Sequence, residues 1–294
     1  MPGTRKEDLG IGVGYRPAWR DDFLSAPKPL VPWIEVITEN FLPAGDGTET
    51  RARQTLRGLR RDMAVALHGV GLNLASADAL DERYLAALAR LSREIEPWLV
   101  TDHLCWTGVN RENLFDLLPF PFTKEALAAI TAKIGRVQDL LRRPVAVENI
   151  TFYAHPAGDE LGEEDFLNEL CARTGCRLLL DVNNIYVNSV NFGLDPMAYV
   201  RRLKLSNVAE IHLAGHATRG DGILVDTHGE PVPDAVWSLY EEVIALAGPV
   251  PTMIERDQNI PAWREMEREL DRLRRLRRGR EALRDDARMA NPLP

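Results

Sequence analysis

The sequence predicts a (β/α)8 barrel, the TIM-barrel class, formed as a single domain across residues 1–294. Three observations predict it. Eight short apolar runs rich in β-branched residues recur along the chain, polar stretches of helical period lie between them, and no linker or composition break divides the sequence.

The runs are "GIGVGY" (10–15), "WIEVIT" (33–38), "AVALHG" (64–69) and "WLVTDH" (98–103), then "PVAVEN" (144–149), "RLLLDV" (177–182), "VAEIHL" (208–213) and "PTMIER" (251–256). Each has strand length and strand composition. Together they place the barrel at about 10–258.

The intervening helices carry their own signals. Residues 79–96 place apolar side chains three and four apart, and 123–143 do the same between an N-capping Thr123 and a closing Pro144. Residues 162–175 open on acids and end on glycine, as the helix dipole and C-cap prefer. Helices over 195–204 and 233–248 follow. The segment 261–289 reads as a charged C-terminal helix whose arginines meet acids at helical spacing, a solvated face rather than a nucleic-acid patch.

A doubly wound open sheet is the competing architecture. It advertises a GxGxxG turn after its first strand. "GIGVGYRP" lacks that spacing and runs into Pro17.

The composition is that of a water-soluble globular protein, with 45% hydrophobic and 27% charged residues. A net charge of -8 argues against non-specific adhesion to nucleic acid or to an anionic membrane. No apolar stretch approaches the roughly 20 residues needed to span a bilayer, and the N-terminus lacks a signal-peptide core. Three cysteines, Cys105, Cys171 and Cys176, are too few and too odd for a disulfide framework and read as free thiols in a reducing cytoplasm.

Barrel active sites lie at the carboxyl ends of the strands. The strand ends here are therefore the place to look. The third strand ends in His68, the fourth in Asp102 and His103, the fifth in Glu148 and the sixth in Asp181, with Asn184 a turn on. The seventh ends in His212 and its loop carries His216, Asp226 and His228, while the eighth ends in Glu255. The second ends near Glu39 and Asn40. Five of the six histidines fall at these ends or in the loop after one, and the sixth, His155, reads as a surface residue.

Converging carboxylates repel unless a cation joins them. One ion takes three to six ligands, so this many donors imply two or three ions. Imidazole and carboxylate without thiolate suit iron, zinc or manganese alike. Cys105 reads as packing rather than as a ligand.

The ordered set His68, His103, Glu148, Asp181, His212, Asp226, His228 and Glu255 resembles the metal barrels of the xylose-isomerase-like superfamily, which includes endonuclease IV. The segments "GIGVGYRP", "IEVITENF", "LHGVGLNLAS", "TDHLCW", "VENI", "DVNNIYVN", "IHLAGH" and "DTHGEPV" more closely resemble the multinuclear non-heme iron-dependent oxidative enzymes, the group of the methanobactin-biosynthesis iron enzyme. The endonucleases carry histidine three residues after the strand-six aspartate, where this chain has Asn184, and the acidic net charge suits a DNA enzyme poorly.

The resemblance implies an iron- and dioxygen-dependent oxidase or oxygenase with two or three irons. Its substrate would be a ribosomally synthesised precursor peptide, altered at a cysteine or nearby. It implies that His68, His103 and Glu148 hold one ion, that Glu148 bridges to a second held with Asp181, His212 and Glu255, and that Asn184, Asp226 and His228 hold a third. His216 would support a ligand or act on substrate. A separate small leader-binding protein is expected as partner. The alternative is a metal-dependent hydrolase or isomerase.

Overall fold

The computed structural model describes residues 9–43, 49–110, 112–154 and 156–290, and His155 lies outside them. In chain order the elements begin with β1 (Ile11–Gly14), α1 (Arg20–Ser25), β2 (Trp33–Ile37), α2 (Arg51–Arg60), β3 (Ala64–Gly69), α3 (Glu82–Ile95) and β4 (Leu99–His103). An antiparallel hairpin of β5 (Trp106–Val109) and β6 (Glu112–Leu118) precedes α4 (Lys124–Leu141), β7 (Ala146–Glu148), α5 (Glu163–Thr174) and β8 (Arg177–Asp181). Then come α6 (Val182–Phe192), α7 (Pro196–Arg202), β9 (Val208–Leu213) and a two-stranded ribbon, β10 (Ala217–Thr218) with β11 (Leu224–Val225). The described chain ends with α8 (Asp234–Ala247), β12 (Thr252–Ile254) and α9 (Trp263–Ala290).

Eight parallel strands close into a barrel in the order β1-β12-β9-β8-β7-β4-β3-β2. The fold is a TIM barrel. Every barrel strand is buried on both faces, so the strands are apolar almost throughout. Side chains alternate across a strand, and the closed register sorts them into two cores. Val13, Ile34, Val65, Leu67, Val100, Val147, Leu180 and Ile211 belong to the large outer core beneath the helices. Trp33, Ala66, Leu99, Ala146, Leu179 and Met253 pack together as a separate apolar layer inside the barrel.

One residue pair further along each strand, the interior becomes polar. His68 follows Ala66 by two, Thr101 follows Leu99, Glu148 follows Ala146, Asp181 follows Leu179 and Glu255 follows Met253, while Glu35 pairs with Ala66 at the height of the floor. The apolar layer is thus a floor, and the polar layer above it faces the strand ends.

Three helices and the hairpin go beyond the sequence expectation. The stretch 51–60 forms α2, capped by the Thr50 side chain, which accepts from the Arg53 amide. The "DVNN" segment opens a helix: Asp181 ends β8 and immediately N-caps α6, its Oδ1 accepting from the Asn184 amide at 2.8 Å. α1 is a short helix whose Phe23 is buried. The C-terminal helix is charged as expected, but it also buries Trp263, Met266, Leu270 and Leu273, a stripe at helical spacing against the barrel. The three cysteines are free, and the Cys171 and Cys176 sulfurs stand 3.8 Å apart. Among the described residues no helix is long and apolar enough to cross a membrane.

The floor depends on a missing side chain. A Cβ at Gly12 would lie 2.4 Å from ring carbons of the fully buried Trp33. Gly12→Ala should therefore destabilise the chain by about 1–3 kcal/mol, the usual cost of overpacking. A shift in the urea midpoint at unchanged slope is the measurement. A variant as stable as the parent would show that Trp33 has room to move.

Candidate metal centre

The polar layer gathers carboxylates and imidazoles from seven of the barrel strands and the β11–α8 loop. Their ligand atoms form four groups, each with its atoms within 4.8 Å of one another: His68, His103 and Glu148; Glu148, Asp181 and His212; Asp181, His228 and Glu255; and Glu35, Glu210 and His212. Neighbouring groups share Glu148, Asp181 or His212, so the four are continuous.

The spacings are those of ligands around ions. Glu148 Oε2 lies 3.3 Å from the Nε2 atoms of both His68 and His103. Glu255 Oε2 lies 3.1 Å from His212 Nδ1 and 3.3 Å from His228 Nδ1. His228 Nε2 approaches Asp226 Oδ1 at 2.8 Å and Asp181 Oδ2 at 3.7 Å. These approaches lack the alignment of hydrogen bonds. Glu148 Oε2, Asp181 Oδ2, His228 Nε2 and both His212 nitrogens are buried without a hydrogen-bond partner. A buried polar atom without a partner is costly, and here the orphans converge. A cation at the centre of each group would satisfy them, so the residues fit a metal.

The far sides of these side chains are held. His103 Nδ1 lies 3.0 Å from the Gly69 carbonyl, which can only accept, so Nδ1 carries the proton and Nε2 is left with its lone pair toward Glu148. His68 Nδ1 lies 2.7 Å from Thr101 Oγ1. Arg16, buried at the end of β1, donates to Glu255 Oε1 at 3.1 Å and also pairs with Asp257.

The charges are strained by burial. Loss of solvent lifts the Asp181 carboxyl to about 7, with Asp226 adding to the rise and His228 opposing it. Burial likewise raises Glu148 well above the ordinary carboxylate range. It lowers His68, reinforced by His103, and it lowers His103. His212 is held well above its usual value although burial pushes it down, because Glu35, Glu210 and Glu255 surround it. Glu255 sits well below its usual value although burial pushes it up, because His212 and His228 face it.

The remaining sequence candidates lie beside these groups. Asn184 is tied by its side chain: Nδ2 donates to the Asn149 carbonyl at 3.0 Å, and Oδ1 faces the Thr151 hydroxyl at 2.8 Å. That hydroxyl also lies 3.2 Å from Asp226 Oδ2, so Asn184 and Asp226 flank one residue. His216 stands outside the four groups. Its ring stacks on Tyr186, and Nδ1 lies 2.7 Å from Asn183 Oδ1.

Two strand-end acids serve the loop above β3 instead. Asp102 Oδ2 accepts from the Leu72 amide at 3.1 Å, and Glu39 Oε1 accepts from the Val70 amide and the Tyr84 hydroxyl. Cys105 is buried and joins none of the four groups.

Sequence reasoning missed Glu35 and Glu210. Both lie within strands rather than at their ends. The signal was present for Glu210, which precedes His212 by two residues and therefore shares its face.

The glycines of the loop after β9 act differently from one another. A Cβ at Gly215 would fall 2.1 Å from the Glu230 carbonyl oxygen, so only glycine lets the two backbones meet and brings 226–228 over the barrel mouth. Gly222 takes φ +87° in the turn between β10 and β11, whereas Gly220 faces open space.

Fold and site together define a TIM barrel with clustered metal-competent groups at the ends of its strands. The chain belongs to the family described as RiPP precursor modification enzyme MbnB/TglH/ChrH, whose pattern it matches over residues 10–278. A UPF0276 protein of Caulobacter vibrioides (strain NA1000 / CB15N) is 47% identical over 262 residues, covering 89% of this chain and 92% of that one. A UPF0276 protein of Rhizorhabdus wittichii is 48% identical over 262 residues, covering 88% and 92%. Among solved structures, endonuclease IV from Thermus thermophilus superposes with a TM-score of 0.57 at 16% identity, covering 91% of this chain and 98% of that one. A D-psicose 3-epimerase superposes at 0.55 with 10% identity, covering 84% of each chain. Likeness at that identity concerns the fold alone.

The raised Asp181 carboxyl gives the centre a pH dependence. A proton held up to about pH 7 must leave before the oxygen takes a cation. Affinity of the full chain for Zn2+ should therefore climb as pH rises from about 5, and the protons that Glu148 and His212 hold above their usual ranges extend the climb in the same direction. Competition titration against a chromophoric chelator reads this. A flat profile would mean that none of these groups gives up a proton when the cation binds.

Proposed function

We propose that this chain modifies a ribosomally synthesised precursor peptide oxidatively, at a cysteine or a nearby residue, using two or three iron ions and dioxygen. The observation that carries the proposal is the sharing of Glu148 and Asp181 between successive ligand groups. Carboxylates common to neighbouring groups suit ions close enough to act on one substrate. Family membership supports a precursor peptide as substrate.

His68, His103 and Glu148 would hold one ion. Glu148, Asp181, His212 and Glu255 would hold the second, and Asn184, Asp226 and His228 the third. When bound, iron would supply one-electron chemistry with dioxygen and a seat for a substrate thiolate. A small leader-binding protein is the expected partner, with direct recognition of the peptide by the barrel rim as the alternative.

His216 is assigned to the substrate. Asp226 Oδ1 can only accept, so Asn183 presents its Nδ2 to it at 2.9 Å. Asn183 Oδ1 therefore faces His216, and His216 Nδ1 must carry the proton at 2.7 Å. Burial, with His228 adding to it, lowers the His216 pKa, which keeps the ring neutral. Nε2 is left with a lone pair, fit to accept a proton from the peptide or to orient a donor on it.

Metal analysis after anaerobic purification tests the reading. The full chain should contain two or three irons, and oxygen uptake should begin on adding a cysteine-bearing precursor peptide. A chain loaded only with zinc that consumes no oxygen with that peptide would overturn it. His103→Ala should lose the ion held by His68 and Glu148. His216→Ala should keep the full iron content while turnover falls by about 10²- to 10⁴-fold, the range of a lost acid–base group. Loss of iron in His216→Ala would make it a ligand instead.

A further inference from the structure

Glu35 and Glu210 have no part in the assignments above. Both are essentially without solvent, at 2% and 0% exposure. Glu35 Oε2 and both oxygens of Glu210 lack any hydrogen-bond partner. Two buried carboxylates in that state are expensive, and their position shows what they face. Register places Glu210 opposite Leu179, one inward layer below the Asp181–His212 pair. Glu35 comes across the barrel from β2, level with Gly14 and Ala66, also below the plane of His68.

What they face is the underside of His212. Its Nε2 lies 3.3 Å from Glu35 Oε1 and 3.6 Å from Glu210 Oε1. The ring's other nitrogen, Nδ1, points the opposite way, to Glu255 Oε2 at 3.1 Å. Glu255 in turn belongs with Asp181 and His228, whereas Glu35 and Glu210 meet no other group. One edge of the imidazole looks into the shared centre and the other looks into a two-carboxylate cradle.

We propose that Glu35 and Glu210 are positioning residues that hold the Nε2–H of His212, so that His212 offers Nδ1 to the metal. The inference rests on the reading of His212 as a metal ligand. An imidazole binding metal through one nitrogen keeps its proton on the other, and a carboxylate accepting that proton's hydrogen bond fixes the ring plane and strengthens the donor. At 3.3 and 3.6 Å a small tilt of the ring brings the N–H onto either oxygen. A separate cation between Glu35, Glu210 and Nε2 is the competing use of the same atoms. It would require the ring to lose both protons if Nδ1 were also bound.

The test uses the full chain loaded with Zn2+, a diamagnetic probe. Long-range 1H–15N spectra of the histidine rings, with His212 assigned by its loss in His212→Asn, should show Nε2 protonated and Nδ1 bound. Metal on Nε2, or on both nitrogens, overturns the proposal. Glu35→Leu and Glu210→Leu should each weaken the tightest Zn2+ site containing His212 by about 10- to 100-fold. Glu35→Gln and Glu210→Gln keep an oxygen acceptor and should recover most of that loss. Leu variants that bind as the parent does overturn the proposal while leaving the metal reading intact. A parent chain that takes up no metal overturns both. The ring spectra come from the parent chain, so a Leu variant that fails to fold leaves that arm decisive.

Discussion

Five carboxylates inside one barrel, Glu35, Glu148, Asp181, Glu210 and Glu255, are each at most 5% exposed. Removing an ionised carboxylate from water costs several kcal/mol even after relaxation. The other features of the site answer to that constraint. The nearby cations are few: Arg16 reaches Glu255, and His212 and His228 bear charge only while surrounded by acids. The arrangement makes chemical sense as a seat for metal ions, whose charge would replace those protons. The low exposure that makes the site costly without a cation would make it grip one firmly.

Holding such a site takes a rigid frame on two sides. Below, Trp33 and its apolar neighbours fill the barrel bore and give the ligand layer a dry floor. Around it, hydrogen bonds fix the candidate ligands from behind: Gly69 carbonyl to His103, Thr101 to His68, Arg16 to Glu255 and the start of α6 to Asp181. Asp181 does two jobs at once. One oxygen caps a helix while the other is free for the centre. Moving α6 would therefore move a candidate ligand.

Much of this was legible from residue order alone. Eight β-branched runs and their polar ends were enough for the barrel, because parallel strands buried on both sides must be apolar and their carboxyl ends must carry the polar exceptions. The hairpin of β5 and β6 left little trace. Its second strand is largely exposed, with Phe115 at 92%, so no burial pattern marks it. The helix α6 was hidden because "DVNN" is also turn chemistry, and the same Asp181 bond serves a turn or a helix cap; the backbone that continues as helix to Phe192 distinguishes the two. The neighbours of Asn184 were equally out of reach of the sequence: Thr151 and Asn149, both remote from it in the chain, hydrogen-bond its amide.

By itself the sequence determined the fold class, the strand ends at which His68, His103, Glu148, Asp181, His212 and Glu255 stand, and the net charge of -8. Only the tertiary structure decided which acids turn inward. Glu39 and Asp102 lie at strand ends and brace a loop, while Glu35 and Glu210 lie mid-strand and face His212. The physical reason is parity. A strand buried on both faces shows no alternation of polar and apolar residues, so its inward face is set by register with its neighbours, and register exists only once the barrel has closed.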